Sequence, residues 1–494
     1  MPGIFSTITG EPFHLMAAIA MGVKYGAGIQ DALLFDKVCL YELGYSEEIC
    51  ANLTLYEDEE IQVQEMVNTF NLGRSMAQTI ISIITALFVG GFTDRFGFKI
   101  TLTVYFIGVF LSEGVDWIFY LFLENIPLYF LYVELLFHAS KSGFYLALYG
   151  LINRFVSKDK LAVRIGFMDG VYTIGWMIGV IPSALLFRAL GYIGVYATTD
   201  ILYIMAFLYH LIFVHEYPKG QENKAQEEKP KEKSGSAFKQ IQNMIKAGTV
   251  DVIKDLFHTL AKPRPHHMRP LIILALIAMP CYNTSFLDYT LTYAYMYLMF
   301  GVTPEQFSLF SITTSVVSLV CLFALMPIMR DVLKLHESII ITLVLMAGAG
   351  LMVWSALVQE LIPFIVIVSL ANLKYVCYPN GRTLLTKMID DDEVPKMYGF
   401  LNLINNIASL VGIPLYRGLY NATLETFPGA FLMLSAGLLT FAALIYLVFI
   451  TQRGKIEKLH RRKKEAKERE ESEMSKTETV EGIPSLDDKI ETHL

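Results

Sequence analysis

Glu134, His138 and Lys141 lie four and then three residues apart within an apolar stretch, a spacing that puts all three on one face of a helix. A carboxylate, an imidazole and an ammonium so arranged can relay a proton or hold a charged solute, and they can equally form an ion-pair ladder along one helix. Lys24, Asp31, Asp169, Asp200, Asp288 and Lys374 interrupt other apolar stretches in the same way. An ionised side chain at mid-membrane costs about 2.5–3.5 kcal/mol on insertion scales, so such residues normally face a cavity or a partner. Lys24 can also snorkel toward an interface. Lys141 and Lys374 would engage carboxylates as point charges, which favours an anionic solute.

Tyr289, Tyr293 and Tyr297 recur every four residues as packing or as a stacking wall, and Asn402, Asn405 and Asn406 can bind a solute or bridge helices. Glu134 and His138 could form an acid–base pair, but no nucleophile or metal cluster accompanies them. Metal-ligand spacing and a phosphate-cradling glycine loop are both missing from the sequence. An enzyme, a cofactor, a nucleic-acid partner and ATP drive are therefore not expected.

The elements that must position these residues are membrane helices. Of 494 residues, 54% are hydrophobic and 18% charged, too apolar for a soluble chain of this length. Spanning the bilayer takes about 20 apolar residues, and twelve segments qualify, near 13–34, 72–92, 100–120, 128–152, 163–188, 192–214, 270–300, 306–328, 338–358, 361–381, 397–419 and 429–450. A strict hydropathy window would miss one or two. The first, with Lys24 and Asp31, is no secretory signal.

Lys158, Lys160, Arg330, Lys334, Lys387 and Lys396 fall in alternate loops, together with basic stretches at 219–269 and 453–468. The positive-inside rule then puts both termini in the cytosol. Loop 35–68 lies on the opposite side. It is acidic, carries the sequon Asn52-Leu53-Thr54, and contains Cys39 and Cys50, which either close a small disulfide loop or stay free. Cys281, Cys321 and Cys377 read as packing residues.

Residues 221–233 are rich in Glu, Lys and Gln and read as a disordered linker, followed at 238–260 by an amphipathic helix for the cytosolic face. The chain divides into a six-helix bundle over 1–214, a cytosolic linker over 215–268, a second six-helix bundle over 269–451 and a charged tail over 452–494. The last residues, Glu491-Thr492-His493-Leu494, fit strand-addition capture by a PDZ domain.

Between the second and third segments, Gly90-Gly91-Phe92-Thr93-Asp94-Arg95-Phe96-Gly97-Phe98-Lys99 reads as a membrane-exit turn. It resembles the signature turn of major facilitator transporters, Gly-x-x-x-Asp-Arg-x-Gly-Arg-Lys, matching at Gly90, Asp94, Arg95, Gly97 and Lys99, with Phe98 in place of an arginine. The resemblance implies an all-α membrane fold of twelve helices in two pseudo-symmetric bundles, with helices 1, 4, 7 and 10 lining the cavity. Asp94, Arg95 and Lys99 would form its conformational latch.

Five further stretches resemble the proton-coupled folate transporter family, solute carrier family 46: Glu11-Pro12; Cys39 with Cys50-Ala51-Asn52-Leu53; 164–170; 382–387; and 419–424 with Phe427-Pro428-Gly429. This resemblance implies proton coupling at Asp169, where the proton-coupled member has glutamate, and substrate and proton binding at Arg382. The helix 7 histidine of that member has no counterpart in Cys281-Tyr282-Asn283, and Arg154 stands where an aspartate is expected. Both departures point away from folate.

The expected protein is a secondary transporter moving a small organic solute, an anion, by proton symport and alternating access. Asp169, Glu134 and His138 would couple protons, while Lys24, Lys141, Lys374, Arg382 and Asp288 would bind substrate. Its surroundings would be the bilayer of the plasma membrane, with the endolysosomal membrane as the other location. The rival reading is a transporter-like receptor that binds its ligand without moving it.

Overall fold

The computed structural model describes residues 11–141, 144, 147–148, 158–214, 262, 268–390 and 393–481. Every element among them is helical. The linker composition at 221–233, the amphipathic pattern at 238–260, Arg154 and the terminal PDZ-type motif lie outside the described residues.

Helix α1 (Glu11–Tyr25) stops before Gly28, whose φ of 69° is left-handed, and α2 (Ile29–Lys37) resumes the crossing. Only glycine fits there. Besides the positive φ, a Cβ on Gly28 would fall onto the Tyr293 ring. The short α3 (Glu47–Ala51) precedes α4 (Glu57–Phe96), a 40-residue helix about 60 Å long at 1.5 Å per residue. Its first turn holds Glu57, Asp58, Glu59 and Glu60, all complementing the positive end of the helix dipole. Much of the expected loop 35–68 is thus helical, because those acids start a helix, and Val63, Val67 and Phe70 give it a face to bury.

Gly97, with φ 91°, turns the chain into α5 (Phe98–Leu121). A 3-10 segment, Leu128–Glu134, leads into α6 (Leu135–Lys141). Two crossings follow in α7 (Lys158–Phe213), broken at Gly191. The second half comprises α8 (Met268–Thr284), α9 (Tyr289–Phe300), α10 (Pro304–Val320), α11 (Glu337–Leu357), α12 (Leu361–Ala371), α13 (Cys377–Met388), α14 (Val394–Thr423) and α15 (Ala430–Glu481). Pairing α1 with α2, α8 with α9 and α12 with α13, and dividing α7 in two, gives twelve crossings. The last helix continues far beyond the membrane, so most of the charged tail is helical rather than irregular.

Seven helical stretches among the described residues are long and apolar enough to span by length and composition alone, one of them holding the sixth crossing and part of the fifth.

Packing follows membrane rules. Lipid offers no hydrophobic drive between helices, so close approach of backbones matters. Gly22-x-x-x-Gly26 on α1 faces Gly175-x-x-x-Gly179 on α7 with no room for a Cβ at any of the four. Outward faces carry apolar stripes, such as Ile100, Val104, Ile107, Leu111 and Ile118 on α5. These suit contact with acyl chains.

Candidate transport pathway

Crossings 1, 7 and 10 lose regular α-geometry partway through, and crossing 4 opens without it. The breaks are Gly28, the 3-10 segment Leu128–Glu134, the 3-10 segment Ser285–Asp288 and the 3-10 segment Asn372–Val376. Each break lies beside intramembrane charge: Lys24 and Asp31, Glu134, Asp288, and Lys374. Discontinuous helices of this kind build the central sites of transporters.

In the first half the charges join into one network. Lys24, 1% exposed, donates to Glu113 at 2.6 Å and to Asp116 at 2.7 Å, both on α5. Glu134 accepts from Arg74 of α4, from Lys141 at 2.7 Å and from Ser112 at 2.7 Å. Lys141 also donates to the Ser112 hydroxyl at 2.8 Å, tying α6 to α5. Trp117 donates its indole N–H to Asp200 of α7 at 2.5 Å.

The second half has a smaller cluster. Lys374 reaches Asp288 at 2.8 Å and the Ser285 carbonyl at 3.2 Å. Ser435 of α15 donates to Asp288 at 3.1 Å and shares a 2.7 Å hydrogen bond with Tyr416. Lys24, Lys141 and Lys374 are therefore all neutralised by carboxylates of the chain itself. Arg382 differs. Its guanidinium donates to the Tyr378 hydroxyl at 2.6 Å and lies 4.2 Å from the Tyr378 ring centroid and 5.3 Å from that of Tyr398. Its buried Nε has no hydrogen-bond partner, and no carboxylate among the described residues pairs with it.

Among the described residues, the direct hydrogen bonds between the two halves gather at the end nearest the Cys39–Cys50 disulfide. Arg417 donates to the Asn68 carboxamide oxygen at 2.6 Å, while Asn68 donates to the Arg417 carbonyl at 3.0 Å and to the Asn421 side chain. Tyr420 donates to Gln64 at 2.7 Å, and Gln64 donates to the Ala294 carbonyl and to Glu60, each at 3.2 Å. Phe35 stacks on Tyr297 with centroids 5.2 Å apart. Tyr293 and Tyr297 are thus packing residues of this seam. Glu60 precedes the membrane span, and burial pushes its carboxyl up to about 7 against the hydrogen bond from Gln64, with Glu57 adding to the rise.

His138 does not join Glu134 and Lys141. Its Nε2 lies 3.0 Å from the Ser82 hydroxyl of α4, and its Nδ1 is buried without a hydrogen-bond partner. Lys99 donates to the Leu211 carbonyl at 2.9 Å, fastening the signature turn to the end of α7. The side chains of Asp94, Arg95 and Asp169 lie outside the described set. Asn52 is exposed at the end of α3, as a glycan acceptor must be. Asn405 is buried with its side-chain oxygen unpaired, whereas Asn402 is exposed. Glu113, Asp116, Arg74, Gln64, Asn68 and Arg417 were not singled out by sequence reasoning. The i, i+3 spacing of Glu113 and Asp116 in an apolar segment is the signal that could have found the first two.

Comparison with known proteins agrees with this architecture. The model of the Major Facilitator Superfamily matches residues 65–375 and 300–481. The chain is 22% identical over 455 residues to the "Probable peptidoglycan muropeptide transporter SLC46" of Drosophila melanogaster, covering 86% of this chain and 82% of that protein. It is 21% identical to the "Lysosomal proton-coupled steroid conjugate and bile acid symporter SLC46A3" of Mus musculus, over 78% of this chain and 80% of that one. Among solved structures it is similar to a D-xylose-proton symporter, with a TM-score of 0.63 at 13% identity over 90% of this chain and 96% of that one. The POT family transporter PepTSo aligns with a TM-score of 0.57 at 11% identity over 91% of this chain and 99% of that one.

Proposed function

The chain belongs to the Major Facilitator Superfamily and is a multi-pass membrane transporter, and we propose that its cargo is a small organic anion carried by proton symport. The observation that carries the anion reading is Arg382. Every buried lysine near the four helix breaks already has a carboxylate, whereas Arg382 has a guanidinium framed by two tyrosines and no counter-ion among the described residues. A planar, permanently charged fork suits a carboxylate, sulfate or phosphate group. Aromatic rings on either side suit a cargo with an apolar body.

The two relatives are named for muropeptides and for steroid conjugates and bile acids, all small organic solutes, and one of them is called proton-coupled. The disulfide end faces the exterior of the plasma membrane in this reading, with Asn52 glycosylated there and the seam at Asn68–Arg417 as the outer gate. In this reading the hydrogen bonds of that seam hold the outer gate shut, and the pathway opens toward the signature-turn end. Asp94, Arg95 and Lys99 would latch that end in the opposite state.

The test is uptake by cells expressing the full chain, at an outside pH of about 5.5 and about 7.5. The panel holds labelled muropeptides, steroid sulfates, bile acids and folates. Acid-stimulated uptake of a panel anion, lost in Arg382→Gln with surface biotinylation unchanged, is the expected result. Saturable binding of an anion with no accumulation at either pH would replace the transporter mechanism with the receptor one. Uptake indifferent to Arg382→Gln would remove that residue from recognition.

A further inference from the structure

We propose that the exchangeable proton is held by Glu113 and Asp116 of α5, two carboxylates that share the single ammonium of Lys24. The proposal deepens the proton-symport reading and rests on it for its role in transport, though not for the existence of the site.

Glu113 and Asp116 are 6% and 1% exposed, and Lys24, at 2.6 and 2.7 Å from them, is 1% exposed. One ammonium balances one carboxylate. The second oxygen of Asp116, Oδ1, is buried and has no hydrogen-bond partner. An anionic oxygen at that depth without a donor is costly, whereas a carboxylic acid there is neutral.

Among the described residues, the surroundings leave one carboxylate unbalanced. On α1 the facing groups are Lys24 itself and Tyr25. From α4 comes Arg74, and from the fourth crossing Glu134 and Lys141; both cations bond Glu134 directly, and Arg74 is also felt by Asp116. From α7 come Tyr196, Tyr203 and Asp200, the last a further carboxylate, held by Trp117. Tyr105 lies on α5 itself. The adjoining Asp31 and Arg417 offset one another. Among the described residues, Lys24, Arg74 and Lys141 thus stand against Glu113, Asp116, Glu134 and Asp200, one carboxylate in excess. Neutrality in a low-dielectric interior takes one proton. Asp200 also has an unpaired oxygen, Oδ1, but it is only half-buried and accepts from the Trp117 indole, so the proton goes to the deeper Glu113–Asp116 pair jointly rather than to either residue.

Loading moves one proton from the aqueous side onto the pair, taking the network from one net negative charge to none. Release to the other side restores the charge. Ser112, next to Glu113, bonds both Glu134 and Lys141, so the change is felt directly on the fourth crossing.

The experiment is infrared difference spectroscopy, acid minus neutral, on the full-length protein in proteoliposomes without any organic substrate. A buried protonated carboxylic acid contributes a C=O stretching band that shifts in heavy water. Glu60→Gln is the background throughout, because the Glu60 carboxyl also titrates in this range; there the band is expected with Asp169 intact and in Asp169→Asn, and is lost in Asp116→Asn and in Glu113→Gln. Should one of these two variants not fold, the other reads the same loss. Lys24→Met, which leaves both acids unbalanced, is expected to raise the pH at which the band appears. A Glu60→Gln protein without the band, or a band kept in both carboxamide variants, overturns the proposal. Because no organic substrate is present, a failed uptake panel with the band intact overturns the anion-transport reading alone.

Discussion

Asn68 and Arg417 grip each other twice across the seam between the two halves, once through the guanidinium and once through the Arg417 carbonyl. Both are buried. A hydrogen bond to a charged group is worth about 1.5–3 kcal/mol net, so Asn68→Ala should shift the balance from closed to open by about tenfold or more. Cysteines placed at Phe35 and Tyr297 report this, since their rings stack in the closed state. Oxidative cross-linking of the pair should slow in Asn68→Ala. Unchanged cross-linking would mean that Asn68 does not hold the gate.

The same gate should respond to pH through Glu60. Burial raises its carboxyl from 4.5 to about 7 in the closed state, while an opened gate returns it to water. The closed state therefore binds the proton more tightly. Its advantage is full below about pH 4.5 and is lost as pH rises through about 7, by up to about tenfold per unit in between. Cross-linking of the Phe35 and Tyr297 cysteines should accordingly weaken as the pH on the disulfide side rises across that window. Glu60→Gln should flatten the dependence, and a slope that survives in Glu60→Gln would assign it to another group.

Close packing of α1 on α7 gives a third expectation. Gly22 and Gly179 meet backbone to backbone, and a methyl at either position must push the helices apart. Overpacking of this kind costs about 1–3 kcal/mol. Gly179→Ala should lower the melting temperature of the purified protein by several degrees, while Gly350→Ala, where a Cβ meets nothing within 4 Å, should leave it unchanged. Equal melting temperatures for the two variants would show that the helices accommodate the methyl.

What can be read from residue types alone is where charge enters the membrane. Lys24, Glu134, Asp288 and Lys374 are visible on crossings 1, 4, 7 and 10 because an ionisable residue in an apolar run needs an explanation. Their partners are not visible. Lys24 is bound by residues 89 and 92 positions away, and Asn68 by one 349 positions away. Pairings at such distances are set by how helices pack, which local periodicity does not encode. Two of the helix breaks do not announce themselves within their own residues either: Leu128–Glu134 and Asn372–Val376 contain no proline or glycine. Cys39 and Cys50 are the reverse case. Their proximity in sequence left bonded and free forms both open, and the fold brings them together in a disulfide. Lys141 and Lys374 show the limit of reading charge as affinity, since each is occupied by an acid of its own half.

That last distinction separates structural lysines from a recognition arginine and can be measured. Lys374→Met leaves Asp288 buried with hydroxyl and backbone neighbours only, and breaking a buried pair on one side costs about 3–5 kcal/mol. The single variant should express poorly and melt early. Lys374→Met combined with Asp288→Leu removes both charges and should recover most of the lost stability. Arg382→Gln strands no carboxylate, so its melting temperature should stay near that of the wild type while anion uptake falls by at least about tenfold, chiefly through KM. Arg382→Lys should recover only part of that loss, because an ammonium cannot reproduce the guanidinium fork between Tyr378 and Tyr398. The opposite pattern, a stable Lys374→Met that has lost anion uptake and an Arg382→Gln that keeps it, would move the recognition site to the Lys374–Asp288 pair.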